Sequence, residues 1–364
     1  MNLKDINTTE LKTTSSLNSL SPYIGRLRPE CAQFLIDKYA HEGKPIFDPF
    51  CGSGTVLLQG WRNGYDVYGN DLNPYALLLA NGKTHPYMTI GQAMEQVNHY
   101  LRFVNKRCAN IDLDTIPEWV RSFYHPDTLK EILAWVFYLK RYKEWFLLSC
   151  LMGILHHQRP SFLSYPASHG APYLRTGKYP REQFPEMYEY RNVYEKLTQK
   201  IERVYKHFPE LNFNHVRLVY NKDAAKMRLE NIPKGTIITS PPYMRSLTYA
   251  RDNRLRLWFL GEVNCDELDK RISPSASDFN KMMTKCINKW ASYQEHHDKC
   301  VIVIGDIDIR VDKHSMSLAQ FIESRAELYY NLVDAYQDPI PESHKLVKGN
   351  DGIKREIIVV LERK

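Results

Sequence analysis

Apolar positions over the first eighty-five residues change period several times, and each change marks an element. Lys44 to Phe50 is a short apolar run that enters a glycine-rich turn, which predicts a buried strand, and Val56 to Arg62 then shows helical apolar spacing. Tyr65 to Asn70 alternates like a strand and stops at Asp71, after which Pro74, placed for a first helical turn, opens a helix over 75–81. Much later, Val216 to Tyr220, Thr236 to Thr239 and Cys300 to Ile304 are apolar and rich in β-branched residues, as strands covered on both faces of a parallel sheet would be. A helix is expected from Leu318 to Val333, then a last strand from Glu356 to Leu361. Strands alternating with helices predict a doubly wound, mostly parallel α/β sheet. Between Pro86 and Asn214 the pattern changes to long helical stretches over 91–107, 126–142 and 145–157, followed by a loop rich in Pro, Tyr, Gly and His up to Pro185. The expected organisation is a sheet domain of residues 1–85 and 214–364 carrying a largely helical insertion, 86–213. No internal repeat is visible.

The composition narrows the class. Hydrophobic residues make up 43% of the 364 and charged residues 25%, values of an ordinary globular chain, not a disordered or membrane one. The longest apolar stretch, Trp145 to Leu155, is broken by Ser149 and Cys150 and falls short of the roughly 20 residues a spanning helix needs. The first twenty-one residues lack the apolar core of a secretory signal, so a cytoplasmic location is expected. Seven scattered cysteines without a CxxC pair suit reduced thiols. The histidine pairs 156–157 and 296–297 are adjacent in sequence, which points them apart on a helix, and no metal is expected. A net charge of +7 is compatible with a polyanionic partner and steers encounter without specifying it.

Two segments carry candidate chemistry. Asp48-Pro49-Phe50-Cys51-Gly52-Ser53-Gly54-Thr55 lies between a predicted strand and a predicted helix, where glycines admit a ligand to the backbone and the helix start presents unpaired N–H groups. The third glycine of a dinucleotide fingerprint is missing, and so is the Lys-Ser or Lys-Thr of a phosphate loop. Asp71, at the end of the next strand, stands where carboxylates bind ribose hydroxyls, although Asp is also a common helix cap. A nucleoside cofactor without pyrophosphate fits both. The second segment, Ser240-Pro241-Pro242-Tyr243, follows the strand Thr236 to Thr239. Its two prolines fix φ and remove two N–H donors, leaving a rigid turn whose carbonyls can accept hydrogen bonds from an amine. A plain Pro-Pro corner with a packed Tyr is the alternative.

Together these segments resemble the amino-methyltransferase family of DNA methyltransferases, with a DPFxGSGT-like cofactor loop at Asp48 to Thr55 and a Ser-Pro-Pro-Tyr catalytic motif at Ser240 to Tyr243. The resemblance implies a seven-stranded Rossmann-like methyltransferase sheet, S-adenosylmethionine as cofactor and duplex DNA as partner. It further implies that Ser240 and the Pro241 carbonyl hold an exocyclic base amine with its lone pair toward the sulfonium methyl, while Tyr243 stacks on the flipped base. Ser in the first motif position goes more often with N4 of cytosine than with N6 of adenine. By the same resemblance Asp71 and Leu72 meet the cofactor ribose side, Asp223 its adenine amine, and Tyr23, within Ser21 to Arg28, its methionine end. The cofactor loop precedes the catalytic loop here, whereas many enzymes with this catalytic motif have the reverse order. Methylation at C5 of cytosine is set aside, because no Pro-Cys dipeptide occurs.

DNA contacts are expected from the insertion loop, where Arg159, His169, Arg175 and Lys178 interleave with aromatic residues, and from Arg245 and Arg251 after the catalytic turn. An ordinary solvated loop is the alternative. A cognate restriction or defence nuclease is a candidate partner. An RNA methyltransferase and an inactive cofactor-binding module are the competing functions.

Overall fold

The computed structural model describes residues 2–11, 15–242, 244, 249–311, 314–341 and 353–364. Among the described residues ten strands are formed: β1 (Lys4–Asp5), β2 (Ile46–Asp48), β3 (Val67–Asn70), β4 (Arg217–Tyr220), β5 (Thr236–Thr239), β6 (Lys299–Gly305), β7 (Asp308–Val311), β8 (His314–Ser317), β9 (Tyr330–Pro339) and β10 (Arg355–Arg363). Eight make one sheet in the order β1-β9-β10-β6-β5-β2-β3-β4, and β7 and β8 pair separately. Only β10 runs against its neighbours; the others are mutually parallel. Leaving aside the two-residue β1 at the edge, this is the expected seven-stranded, mostly parallel, Rossmann-like sheet.

The central strands are buried throughout, β2, β3 and β5 at every residue. Their side chains feed two apolar layers, one on each face. Phe47, Ile237, Ile302 and Val359 look toward helices Ala276–Tyr293 and Leu318–Ala326. On the other face Ile46, Val67, Ile238 and Val301 join helices Pro29–Tyr39, Thr55–Arg62 and Pro74–Thr84. Helices Ile90–Cys108, Pro126–Arg141, Trp145–Gly153 and Val193–Tyr205, all within 86–213, pack on one another and extend that second layer without a break.

Two expectations are corrected at the carboxyl end and in the insertion. The helix expected to reach Val333 stops at Ala326, and Tyr330–Pro339 is a ten-residue strand. Asp334 and Asp338 hide its strand character; its ladder with β10 and a buried ion pair supply what local pattern lacks. The helix expected over 145–157 ends at Gly153, beyond which the chain turns. Among the described residues no helix is long and apolar enough to cross a membrane. All seven cysteines are free thiols.

Candidate active site

In an open parallel sheet, ligands bind outside the carboxyl ends of the strands where the order reverses. Here β3 and β4 lie to one side of β2, and β5 and β6 to the other. A cavity of about 320 Å³ opens at that point, walled by the segments that leave β2, β3, β4 and β5.

The first wall is the glycine turn. Gly52 (φ +49°) and Gly54 (φ +78°) are both left-handed, a conformation open to glycine without a steric penalty. Their surroundings differ. Gly52 faces the cavity, where a Cβ would sit 3.6 Å from the Tyr23 ring, whereas a Cβ on Gly54 would stand 2.8 Å from the Ala80 Cα of helix Pro74–Thr84. Gly52 therefore keeps the wall open, and Gly54 lets two helices close together behind it. Ser53 accepts a hydrogen bond from Lys83 Nζ at 3.1 Å; this lysine is buried, and burial pushes its pKa well below the usual lysine range.

Carboxylates tie the walls together. Asp71 accepts the Gly52 N–H at 2.8 Å through one oxygen and the Asn73 N–H at 2.8 Å through the other. Burial outweighs these bonds and raises its pKa to about 6. Asp48 accepts from the Thr239 hydroxyl at 2.7 Å and from the Phe50 N–H at 3.1 Å, and burial raises it to about 7. Because Thr239 is the last residue of β5, this bond joins the root of the glycine turn to the root of the Ser240 segment. Asn70 performs the same service on the other side: it donates to Pro49 O (3.1 Å) and Lys222 O (2.9 Å) and accepts the Lys222 N–H (2.9 Å). It thereby spaces the glycine turn from the Asp223 turn. Asp223 accepts the Ala225 N–H at 3.0 Å and pairs with Lys226 at 3.3 Å. The Tyr23 ring stacks on Tyr249 at 6.5 Å, bringing the N-terminal segment against the chain that follows the Ser240 turn. Burial, and then the Asp71 charge, push the Tyr23 phenol up.

Of the residues singled out in the sequence, Tyr23, Asp48, Phe50, Cys51, Gly52, Ser53, Thr55, Asp71, Leu72, Asp223, Ser240 and Pro242 all line this one cavity. Pro49, Gly54 and Pro241 stand behind its surface, and Tyr243 and Arg245 lie outside the described residues. The remaining candidates for DNA contact do not line it. Arg159, His169 and Lys178 are exposed on the insertion. Arg175 donates to Gln158 at 2.6 Å, and Arg251 is paired with Asp266 at 2.9 Å. Sequence reasoning passed over Asn70, Thr239, Lys83 and Tyr249. A polar residue closing an apolar strand flagged the first two, and a lysine within an apolar helix the third; nothing local flagged Tyr249. Cys31, Asp338 and Glu356 also converge, within 4.8 Å of one another, but Arg28 Nη2 reaches Asp338 at 2.6 Å and Glu356 at 3.2 Å. A guanidinium thus stands where a metal ion would.

The cavity suits S-adenosylmethionine. Asp71 supplies an acceptor for ribose hydroxyls, Gly52 leaves room beside it, and the Thr55 hydroxyl is buried on the cavity wall with no protein partner. The strand order and this site define the class: a Rossmann-like α/β fold whose switch-point cavity fits S-adenosylmethionine.

Known proteins narrow the class further. Residues 31–123 match the family described as D12 class N6 adenine-specific DNA methyltransferase. The chain is 32% identical over 78 residues to the type II methyltransferase M.MjaII of Methanocaldococcus jannaschii, a match covering 21% of this chain and 15% of that protein. It is 30% identical over 113 residues to the type II methyltransferase M.MvaI of Kocuria varians, covering 28% and 25% respectively. The match thus spans a quarter or less of each curated relative. Among solved structures, TrmN from Thermus thermophilus aligns over 96% of this chain and 52% of its own, with 10% identity and a TM-score of 0.38; the fold assignment rests on the strand order itself. The likeness to the amino-methyltransferase family of DNA methyltransferases stands on the family match and these two relatives.

Proposed function

We propose that this protein transfers a methyl group from S-adenosylmethionine to the exocyclic amine of a base flipped out of duplex DNA, N4 of cytosine in particular. The observation that carries this reading is that Ser240 and Pro242 open onto the same cavity as Gly52 and Asp71. A catalytic turn and a cofactor turn 188 residues apart in sequence (240 minus 52) are thereby held within one nucleoside-sized space. The cofactor supplies an electrophilic methyl on a sulfonium. A base amine is a weak nucleophile because its lone pair is delocalised into the ring, so the protein's part is orientation and electrostatics. Ser240 and the Pro241 carbonyl accept its hydrogens and turn the lone pair toward the methyl. With the cofactor bound, the sulfonium would give up its methyl to the amine nitrogen and leave as the neutral thioether, and the amine's surplus proton would pass to solvent while Ser240 and the Pro241 carbonyl hold the nitrogen in place.

A second reading, N6 of adenine, is favoured by the description of the matching family. That match, over 31–123, takes in the glycine turn and Asp71, which meet the cofactor whichever base is methylated, runs into the insertion and stops well before the Ser240 turn. The base is chosen at the Ser240 turn, which keeps cytosine as the preferred target. Residues 86–213 are the proposed target-recognition region, and a restriction or defence nuclease the proposed companion.

The test is tritiated methyl transfer to duplex DNA, single-stranded DNA and RNA, followed by nucleoside analysis. N4-methylcytosine in duplex DNA is expected. N6-methyladenine would move the target to the second reading, label only in RNA would replace the substrate class, and cofactor binding without transfer would overturn the enzyme. Ser240→Ala should lower turnover by at least about tenfold, the scale of one lost hydrogen bond in the transition state, with cofactor affinity unchanged. An unaltered rate would remove the serine from the mechanism.

A further inference from the structure

The mouth of the cavity carries more positive charge than its cofactor can use. Lys222 follows β4, Arg271 closes helix Cys265–Ile272, and Lys281 and Lys285 lie one turn apart on helix Ala276–Tyr293. All four are exposed and line the mouth, and among the described residues none of their side chains has an ion-pair or hydrogen-bond partner. Neighbouring charges are spoken for: Lys226 pairs with Asp223, Lys270 with Glu267, and Asp278 accepts the Ser275 hydroxyl at the helix start.

The charge of the cofactor makes this arrangement informative. S-adenosylmethionine carries a carboxylate, an ammonium and a sulfonium, one net positive charge. Four unpaired cations lining its entrance repel it, less so as salt screens them. A rim of this kind needs an anionic guest other than the cofactor. Beyond the cofactor's own single carboxylate, the anion that the proposed reaction brings to this mouth is the sugar-phosphate backbone on either side of the flipped nucleotide.

The position of the rim adds a second point. Helix Ala276–Tyr293 packs on one face of the sheet, whereas the 86–213 helices build the layer on the other. Of the cations expected to meet DNA, Arg175 and Arg251 are already held by Gln158 and Asp266. We infer that Lys222, Arg271, Lys281 and Lys285 form a phosphate-binding rim that grips the duplex backbone, with Lys281 and Lys285 on the face opposite the insertion and Arg271 on a helix of the insertion's layer, so that the rim straddles the cavity into which the base is extruded. This inference rests on the methyltransferase reading and adds to it the surface that meets the DNA strand.

Counterion release provides the test, since the logarithm of affinity falls with the logarithm of salt by about 0.9 per neutralised phosphate. Binding of a short labelled duplex is followed by anisotropy across a potassium chloride series, with S-adenosylhomocysteine present to prevent turnover. Lys281→Gln/Lys285→Gln should make the slope shallower by roughly 1.8, two contacts at about 0.9 each, and Lys281→Arg/Lys285→Arg should restore it. Calorimetric affinity for S-adenosylhomocysteine in each variant confirms an intact fold. If the wild-type protein binds duplex with a steep slope and the glutamine variant matches it, the rim is refuted and the methyltransferase reading survives. If the wild type binds no duplex, both fall. A lysine-dependent slope confined to RNA or to single strands would also overturn the duplex assignment.

Discussion

Asp71 is under two opposing influences, burial that favours its neutral form and two backbone N–H groups that favour its carboxylate, and burial prevails. Ribose hydroxyls bind the ionised form better, because it offers acceptors only. Cofactor affinity is therefore expected to fall as pH drops through about 6, and Asp71→Asn should weaken binding and remove that inflection. Calorimetry between pH 5 and 8 reads both, and a flat wild-type profile would separate Asp71 from the ribose. Gly54 is a different kind of residue, defined by geometry instead of charge. Alanine there must adopt φ +78° and meet Ala80, so Gly54→Ala should cost on the order of 1–3 kcal/mol, seen as a lower urea midpoint. Alanine at Gly52 shares the left-handed strain, at φ +49°, but meets only the edge of the Tyr23 ring, so it should cost less stability than alanine at Gly54 and lower cofactor affinity as well.

At the scale of elements, the site depends on strand ends being held in register across the sheet. Thr239 and Asp48 bridge β5 to β2, and Asn70 bridges the end of β3 to the turns after β2 and β4. Asn70 is buried, and removing its amide strands a backbone N–H and two carbonyls. Asn70→Ala is expected to lower stability by about 1–3 kcal/mol, the cost of leaving buried groups unpaired. It should also raise the Michaelis constant for the cofactor more than it lowers turnover; equal loss in both would place Asn70 nearer the chemistry than the geometry does. Arg256 is another cross-element tie, fully buried in helix Arg254–Leu260. It donates to Met152 O at 3.2 Å and to Asn253 at 3.3 Å, which joins the segment after Ser240 to the insertion.

In the whole molecule, the two raised carboxyls make stability and cofactor binding pull in opposite directions. For Asp48 and Asp71 the folded-state pKa lies above the ordinary aspartate value of 3.8. Their contribution to stability is thus fully present below about pH 4 and is lost as pH rises through about 6 and 7, where two charges must be held in a buried site. The cofactor binds the ionised site, so the rise in melting temperature that S-adenosylmethionine produces should be larger at pH 8 than at pH 5.5. Scanning calorimetry at the two pH values checks this, and Asp48→Asn/Asp71→Asn should flatten the dependence of the unliganded protein. A cofactor shift that is larger at the lower pH would contradict the assignment.

Local sequence determined a good deal of this molecule. Apolar β-branched runs can hardly avoid becoming central strands, so β2, β3, β4, β5, β6 and β10 were legible from side-chain character alone. So was the glycine turn, because its left-handed backbone is imposed by the glycines themselves. Helix Val193–Tyr205 was legible too, in Val193, Leu197, Ile201 and Val204, and so was the apolar stripe of Ala276–Tyr293, although neither was among the expected elements. The tertiary structure alone decided the rest. Strand β9 exists because β10 offers it a ladder and Arg28 neutralises Asp338, partners that lie far away in the chain. The neighbourhood of Ser240 and Gly52, the raised pKa values of Asp48 and Asp71, and the unpaired cations at the cavity mouth are likewise properties of surroundings. Conformational preference is local and can be read along a chain, whereas burial, proximity and unbalanced charge arise only when distant segments share one space.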